Sequence, residues 1–190
     1  MVEILDNPEL RQRVAPITVE RYHRMIDAGL FDDWKVELLN GVLVEKMSKS
    51  PLHVFLVDLL IAQLRTHCPE TQYWVRKEDP LSIGLSEPEP DVSVVSGSRA
   101  DFKRSNPATA QLIIEVAVSS LAIDRAKSEI YAKAGVPECW IVCPEERQTE
   151  VFRNSVRGTY AERQTIPASE LLASSALPGF AFHLAAALDE

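Results

Sequence analysis

The spacing of apolar and polar positions along this chain changes period several times, and each change marks a boundary. Residues 1–15 mix charge with Pro8 and follow no period, so they read as an arm ahead of a single domain over 16–190. Thr18 then precedes an acidic first turn, Tyr22, Met25 and Ile26 fall at helical spacing, and Gly29 closes a short amphipathic helix. Residues 35–45 carry two apolar runs on either side of Asn40-Gly41, a pair that tolerates positive φ and so marks a tight hairpin. From Pro51 to His67 the period is helical again: Val54, Val57, Leu60, Ile61 and Leu64 share one stripe, with Ser50 as cap and Pro51 in the first position.

Beyond this helix the pattern predicts short strands at 72–77, 80–85 and 91–96, parted by turn residues such as Pro88 and Pro90, and then a polar loop over 97–109. The run at 111–118 is apolar on both faces, as in the central strand of a sheet covered on both sides. A helix over 122–134 stops at Ala134-Gly135, where glycine suits the left-handed position after a helix. Segments 138–142, 150–154 and 159–163 read as strands of a meander, and the tail from Ala168 holds one more short helical stretch. With 190 residues, 46% hydrophobic and 25% charged, the chain suits one well-packed domain and is short for two.

Composition narrows the setting. The three cysteines, Cys68, Cys139 and Cys143, form neither a disulfide framework nor a four-cysteine zinc site, and point to a reducing cytoplasm. The longest apolar runs fall short of the roughly 18–20 residues that span a bilayer, so no membrane is expected. With seven glycines and no phosphate-cradling loop, no nucleotide cofactor is expected either. The formal net charge of −8 argues against a general polyanion-binding surface. Local cations qualify that: Arg99, Lys103 and Arg104 share one loop and are candidate DNA contacts, Arg76-Lys77 form a second cluster, and Arg125 and Lys127 a third.

The chemistry lies in carboxylates placed where strands should be apolar. Asp91 opens Pro90-Asp91-Val92-Ser93-Val94-Val95, and Glu115 sits inside Leu112-Ile113-Ile114-Glu115-Val116. An uncompensated buried carboxylate is costly enough to protonate instead, so a partner is needed, and a divalent cation is a natural one. The plainer alternatives are that Asp91 caps a turn after Pro90 and that Glu115 pairs with an arginine. Asp124, Lys127 and Tyr131 project from one stripe of the following helix, where Lys127 either assists a metal site or forms a surface ion pair. Glu37, in the first hairpin strand, is a third acidic candidate; His53, near a helix start, is a weaker one, more often a cap partner than a catalyst. Two carboxylates with a nearby lysine suit Mg²⁺-assisted phosphodiester hydrolysis.

Taken in order, Val36-Glu37-Leu38-Leu39-Asn40-Gly41-Val42, Ser50-Pro51-Leu52-His53, Pro90-Asp91-Val92, Leu112-Ile113-Ile114-Glu115-Val116, Asp124-Arg125-Ala126-Lys127 with Tyr131, and Gly135-Val136-Pro137-Glu138-Cys139-Trp140 resemble the Uma-two family of restriction-endonuclease-like proteins, within the PD-(D/E)xK nuclease superfamily. The resemblance runs from about residue 16 to 185. It implies an α/β restriction-endonuclease-like fold, a mixed sheet flanked by helices, and Mg²⁺-dependent endonuclease cleavage of DNA, with Mn²⁺ as a substitute. It places the family's acidic positions on Glu37, Asp91 and Glu115, with Asp91 and Glu115 as metal ligands, and its lysine on Lys127. Ala117 occupies the strand position where the wider superfamily keeps that lysine. His53, Asp124 and Tyr131 are expected to support the site from behind. The chain departs from the pattern at Cys139, Cys143 and the short run after Ser119. A homodimer suits two-strand cutting, with the strands after residue 138 offering an edge. The alternative is a noncatalytic module of the same fold acting in protein or DNA association.

Overall fold

The computed structural model of the protein describes residues 13–189; of the arm expected at 1–15, residues 1–12 lie outside it. Helix α1 (Val19–Asp27) begins where expected, with the Thr18 hydroxyl accepting the Arg21 N–H at 3.2 Å. Strands β1 (Val36–Leu39) and β2 (Val42–Glu45) form a two-stranded antiparallel hairpin, turning through Asn40 and Gly41 at φ 49° and 78°. A Cβ at Gly41 would come within 2.5 Å of the Pro16 side chain, so glycine is required there twice over. Helix α2 (Pro51–His67) is capped by Ser50 and buries Leu56, Val57, Leu60, Ile61 and Leu64. Val54, expected on that stripe, is 41% exposed; the buried stripe runs through Leu56 instead.

The main sheet has six strands in the order β3-β4-β5-β6-β7-β8: β3 (Tyr73–Lys77), β4 (Val92–Ser96), β5 (Leu112–Val116), β6 (Glu138–Cys143), β7 (Gln148–Val156) and β8 (Thr159–Pro167). All neighbours are antiparallel except β5 and β6, which helix α3 (Leu121–Lys133) joins as a parallel crossover. The meander expected after residue 138 is β6-β7-β8, with longer strands than the sequence suggested. A small pair, β9 (Leu172–Ala173) with β10 (Ala181–Phe182), and helix α4 (Leu184–Leu188) finish the chain. This is the expected mixed sheet flanked by helices.

Two expectations need correction. Residues 80–85 form no strand: Gly84 at φ 59° turns the chain back on itself, and only an Ile83–Ser86 bridge results. The alternation of Leu81, Ile83 and Leu85 mimicked a strand, but only Leu81 is buried. Within the loop 97–109, Arg99–Phe102 make a turn of 3₁₀ helix. Among the described residues no helix is long and apolar enough to cross a membrane.

The alternation along β5 decides where the site lies. Leu112, Ile114 and Val116 pack with α2, Trp140 and Phe182 on one face; Ile113 and Ala117 pack with Tyr131, Val136 and Ile141 on the other, under α3. Glu115 therefore points to the α3 face, with period two leaving it no choice. The small Ala117, on the same face, leaves room for side chains descending from α3.

Candidate active site

Strand register brings the first two carboxylates together. Val92 of β4 pairs with Ile114 of β5, so one step further along the ladder Asp91 stands opposite Glu115. Here side chains replace the backbone ladder: the Asp91 N–H donates to Glu115 Oε2 at 3.1 Å, and the Val116 N–H donates to Asp91 Oδ2 at 2.8 Å. The two strands part at this point, and each carboxylate is fixed by the other strand's backbone. Asp91 is thus more than a turn cap.

Glu115 is 1% exposed. Its Oε1 accepts the Tyr131 hydroxyl at 2.5 Å and lies 2.9 Å from Lys127 Nζ. Its partner is therefore a lysine rather than the arginine that was the plainer reading. Lys127 is 4% exposed, which rules out a surface ion pair; Nζ also lies 3.4 Å from Glu37 Oε2 and donates to the Glu89 carbonyl at 3.3 Å. Glu37 reaches in from β1 and accepts the Glu89 N–H at 3.0 Å, so the hairpin is tied to the sheet through the same short segment that holds Lys127. Asp124, one turn before Lys127, is buried and accepts the Ser120 hydroxyl at 2.5 Å. The short run after Ser119 thus launches α3 with Lys127 in full reach of Glu115. Cys139 and Cys143 are free, buried under α3, and pack as small apolar residues.

His53 is also part of this constellation. It is buried in the first turn of α2, with Nε2 3.0 Å from Asp91 Oδ1 and Nδ1 without a protein partner among the described residues. All seven residues nominated around the centre converge: Glu37, Asp91, Glu115, Lys127, His53, Asp124 and Tyr131. Six of them, Tyr131 apart, line one cavity of about 90 Å³.

Burial and the excess of negative charge set the proton affinities. Burial pushes the Glu115 carboxyl up to about 8, with Lys127 opposing and Asp124 and Asp91 adding to the rise. Asp124 is pushed up to about 6 for the same chief reason. Burial also works against the Lys127 charge, but Glu115, Glu37, Asp124 and Asp91 together outweigh it and raise Lys127 above the ordinary lysine value. For Asp91 burial is again the largest influence, yet the His53 contact, the Val116 N–H and Lys127 combine to hold it below the usual range.

The candidate DNA contacts fall elsewhere. Arg99, Lys103 and Arg104 follow the C-terminal end of β4, whereas Asp91 precedes its N-terminal end; five strand residues, on the order of 17 Å, separate them. They are exposed and line no part of the acidic cavity. Arg125, nominated as its neighbour, turns to Glu150, with Nε at 3.1 Å from Oε2, and Arg76 is buried over the Trp74 ring. The cations that do border the cavity are Lys46 and Lys49, paired with Glu89 and Glu78. Sequence reasoning passed them over because they lie in the β2–α2 connection, which has no period.

A fork between two strands, with carboxylates on both and a lysine delivered by the following helix, is thus set at one end of the mixed sheet. The family model described as "Putative restriction endonuclease" (Uma2) matches residues 19–187, and the chain belongs to that family. Among solved structures, the chain is similar to a crystal structure of a putative nuclease belonging to DUF820 from Anabaena variabilis, at 15% identity and a TM-score of 0.72, over 92% of this chain and 98% of that one. At that identity the likeness shows a shared fold. A comparison with curated protein sequences finds no match.

Proposed function

We propose that this protein is a Mg²⁺-dependent endonuclease that hydrolyses phosphodiester bonds in DNA. The observation that carries the reading is the charge imbalance of the cavity: seven acidic residues line it, Glu37, Asp91, Glu115 and Asp124 among them, against Lys46, Lys49, Lys127 and His53. Such a set fits a hard divalent cation, which needs few protein carboxylates because it keeps several waters and takes phosphate oxygens as further ligands. Among the described residues no group of three His, Cys, Asp or Glu side chains is placed to hold a metal ion by itself, so the cation would take its remaining ligands from substrate and water. Asp91 and Glu115 would hold Mg²⁺, or Mn²⁺ in its place; when bound, the ion supplies charge neutralisation at the phosphate and a water of lowered pKa.

The chain's own residues supply the rest. Lys127, ringed by carboxylates, stays protonated and serves as a fixed cation for the charge that develops on the phosphoryl oxygens, not as a base. Glu37 holds Lys127 and would take the proton from an attacking water. His53 steadies the outer oxygen of Asp91, and Tyr131 the inner oxygen of Glu115. Homodimerisation belongs to the same proposal, with β8 as the outermost strand; light scattering tests it. Replacing Asp91 or Lys127 by Ala is expected to lower Mg²⁺-dependent cleavage at least about 100-fold with the fold retained. Undiminished cleavage of plasmid or single-stranded DNA by either variant sinks the assignment.

A further inference from the structure

The acidic cavity does not end at its lysine rim. The segment 45–49, with Glu78 and Glu89, is also one wall of a groove of about 880 Å³ that runs toward α1 and the residues before β1. The Lys46 N–H bond to the Lys35 carbonyl at 2.9 Å extends the β1–β2 pairing, so Trp34, 45% exposed, lies beside Met47, 54% exposed, and both line this groove. Phe31 packs against the indole edge-on, with centroids 6.2 Å apart at 63°, Tyr22 backs Phe31 at 5.6 Å, and the Trp34 backbone N–H donates to the Phe31 carbonyl at 3.1 Å. A large aromatic packed on one edge, with nearly half its surface in water beside exposed Met47 and Ile26, offers a face on which a flat apolar group can stack. Lys35, Lys46 and Lys49 line the same groove.

From this we infer that the groove binds an unpaired DNA strand, one base stacking on Trp34 while a phosphate of the same strand enters the acidic cavity that shares the 45–49 wall. The inference rests on the nuclease reading and narrows its substrate. An exposed indole beside Lys35, Lys46 and Lys49 suits a single strand, because every base offers a π-face and the backbone follows the cations. The depth of the site points the same way. Glu115 is 1% and Lys127 4% exposed, so a phosphate must bend inward to reach them. A duplex is stiff over about 150 base pairs, whereas a single strand bends freely. Asp33, Glu45, Glu78 and Glu89 also line the groove, and Lys46 and Lys49 are already paired to Glu89 and Glu78. Stacking, not counter-ion release, therefore carries most of the affinity, and binding should depend only weakly on salt.

The test is a titration of the full chain with a short oligodeoxythymidylate and with a duplex of the same length, Ca²⁺ replacing Mg²⁺, read by tryptophan fluorescence and by anisotropy of labelled DNA. The single strand should quench fluorescence and bind more tightly than the duplex. Trp34→Ala should abolish the quench and weaken single-strand binding about five- to hundredfold, while Trp34→Phe retains most of it. Buried Trp140 reports that each variant is folded. Single-strand binding unchanged in Trp34→Ala, or a preference for duplex, overturns the inference. So does a change of molecular mass in Trp34→Ala with DNA binding intact, which would make this face a contact between copies. The two readings fail separately: Trp34-dependent binding without Asp91-dependent cleavage removes the nuclease and keeps the groove. Asp91-dependent cleavage indifferent to Trp34 does the reverse.

Discussion

Glu115 occupies a strand position where any aliphatic side chain would stabilise the sheet, and it keeps that position against both burial and the neighbouring Asp91 and Asp124. The consequence is a stability that depends on pH in an uncommon direction. Because its folded pKa, pushed up to about 8, lies above the ordinary 4.5, the native state holds a proton that the unfolded chain releases. Raising pH through that window therefore destabilises the metal-free fold, and the loss levels off above about 8; Asp124, pushed up to about 6, adds to its lower half. Thermal unfolding in EDTA is expected to show a midpoint that falls between about pH 5 and 8, as stability on the order of a few kcal/mol is lost. Glu115→Gln, which holds a neutral group at every pH, should flatten the upper part of that fall. A midpoint equally flat in both proteins would mean that Lys127 already neutralises Glu115 throughout.

At the scale of elements, β6 carries a second buried carboxylate with the opposite behaviour. Glu138 is 0% exposed, yet Oε1 accepts Trp140 Nε1 at 3.0 Å and Arg153 Nε at 2.8 Å, and Oε2 accepts the Ser174 hydroxyl and the Ser175 and Ala176 N–H groups at 2.7–2.9 Å. Burial alone would raise its pKa; these donors together overcome that and depress it. Its stabilisation is present above the unfolded value of about 4.5 and is lost as pH falls through the lower folded value. It latches the C-terminal segment to the sheet, where Phe180 stacks on Trp140. Glu138→Ala should destabilise by about 3–5 kcal/mol, by leaving Arg153 and the 174–176 turn unpaired. Cleavage below the new midpoint should survive, since Glu138 lies at the far end of β6 from the site; a variant equally stable or catalytically dead would refute the latch. Glu138 also shows what was legible in the sequence. Periodicity found the helices and most strands, and carboxylates in apolar strands led to Glu115, but the same rule fits Glu138 and Glu150. Those two are neutralised by Arg153 and by Arg125 with Arg163. What separates the site is charge balance in space, which a linear reading lacks; topology likewise decided that Lys46 and Lys49, not Arg99, Lys103 and Arg104, border it.

For the molecule as a whole, a net charge of −8 and a cavity lined by seven acidic residues against three lysines and a histidine oppose any approach of DNA. Lys127 and His53 are committed to Glu115, Glu37 and Asp91, and Lys46 and Lys49 to Glu89 and Glu78, so the entrance offers a phosphate little uncompensated positive charge. A divalent cation changes the sign of the problem locally, and within a Debye length of about 8 Å that local sign prevails over the distant surface. Binding, and not only hydrolysis, should therefore require the metal. Anisotropy of a labelled oligonucleotide is expected to show at least about tenfold weaker binding in EDTA than in Ca²⁺, with a shallow salt dependence in both. Asp91→Ala should make the two conditions alike, because the ion loses an anchor while the groove at Trp34 is untouched. Equal affinity with and without the cation in the unaltered protein would show that DNA approaches by a surface other than this acidic cavity, and the nuclease reading would lose its entrance.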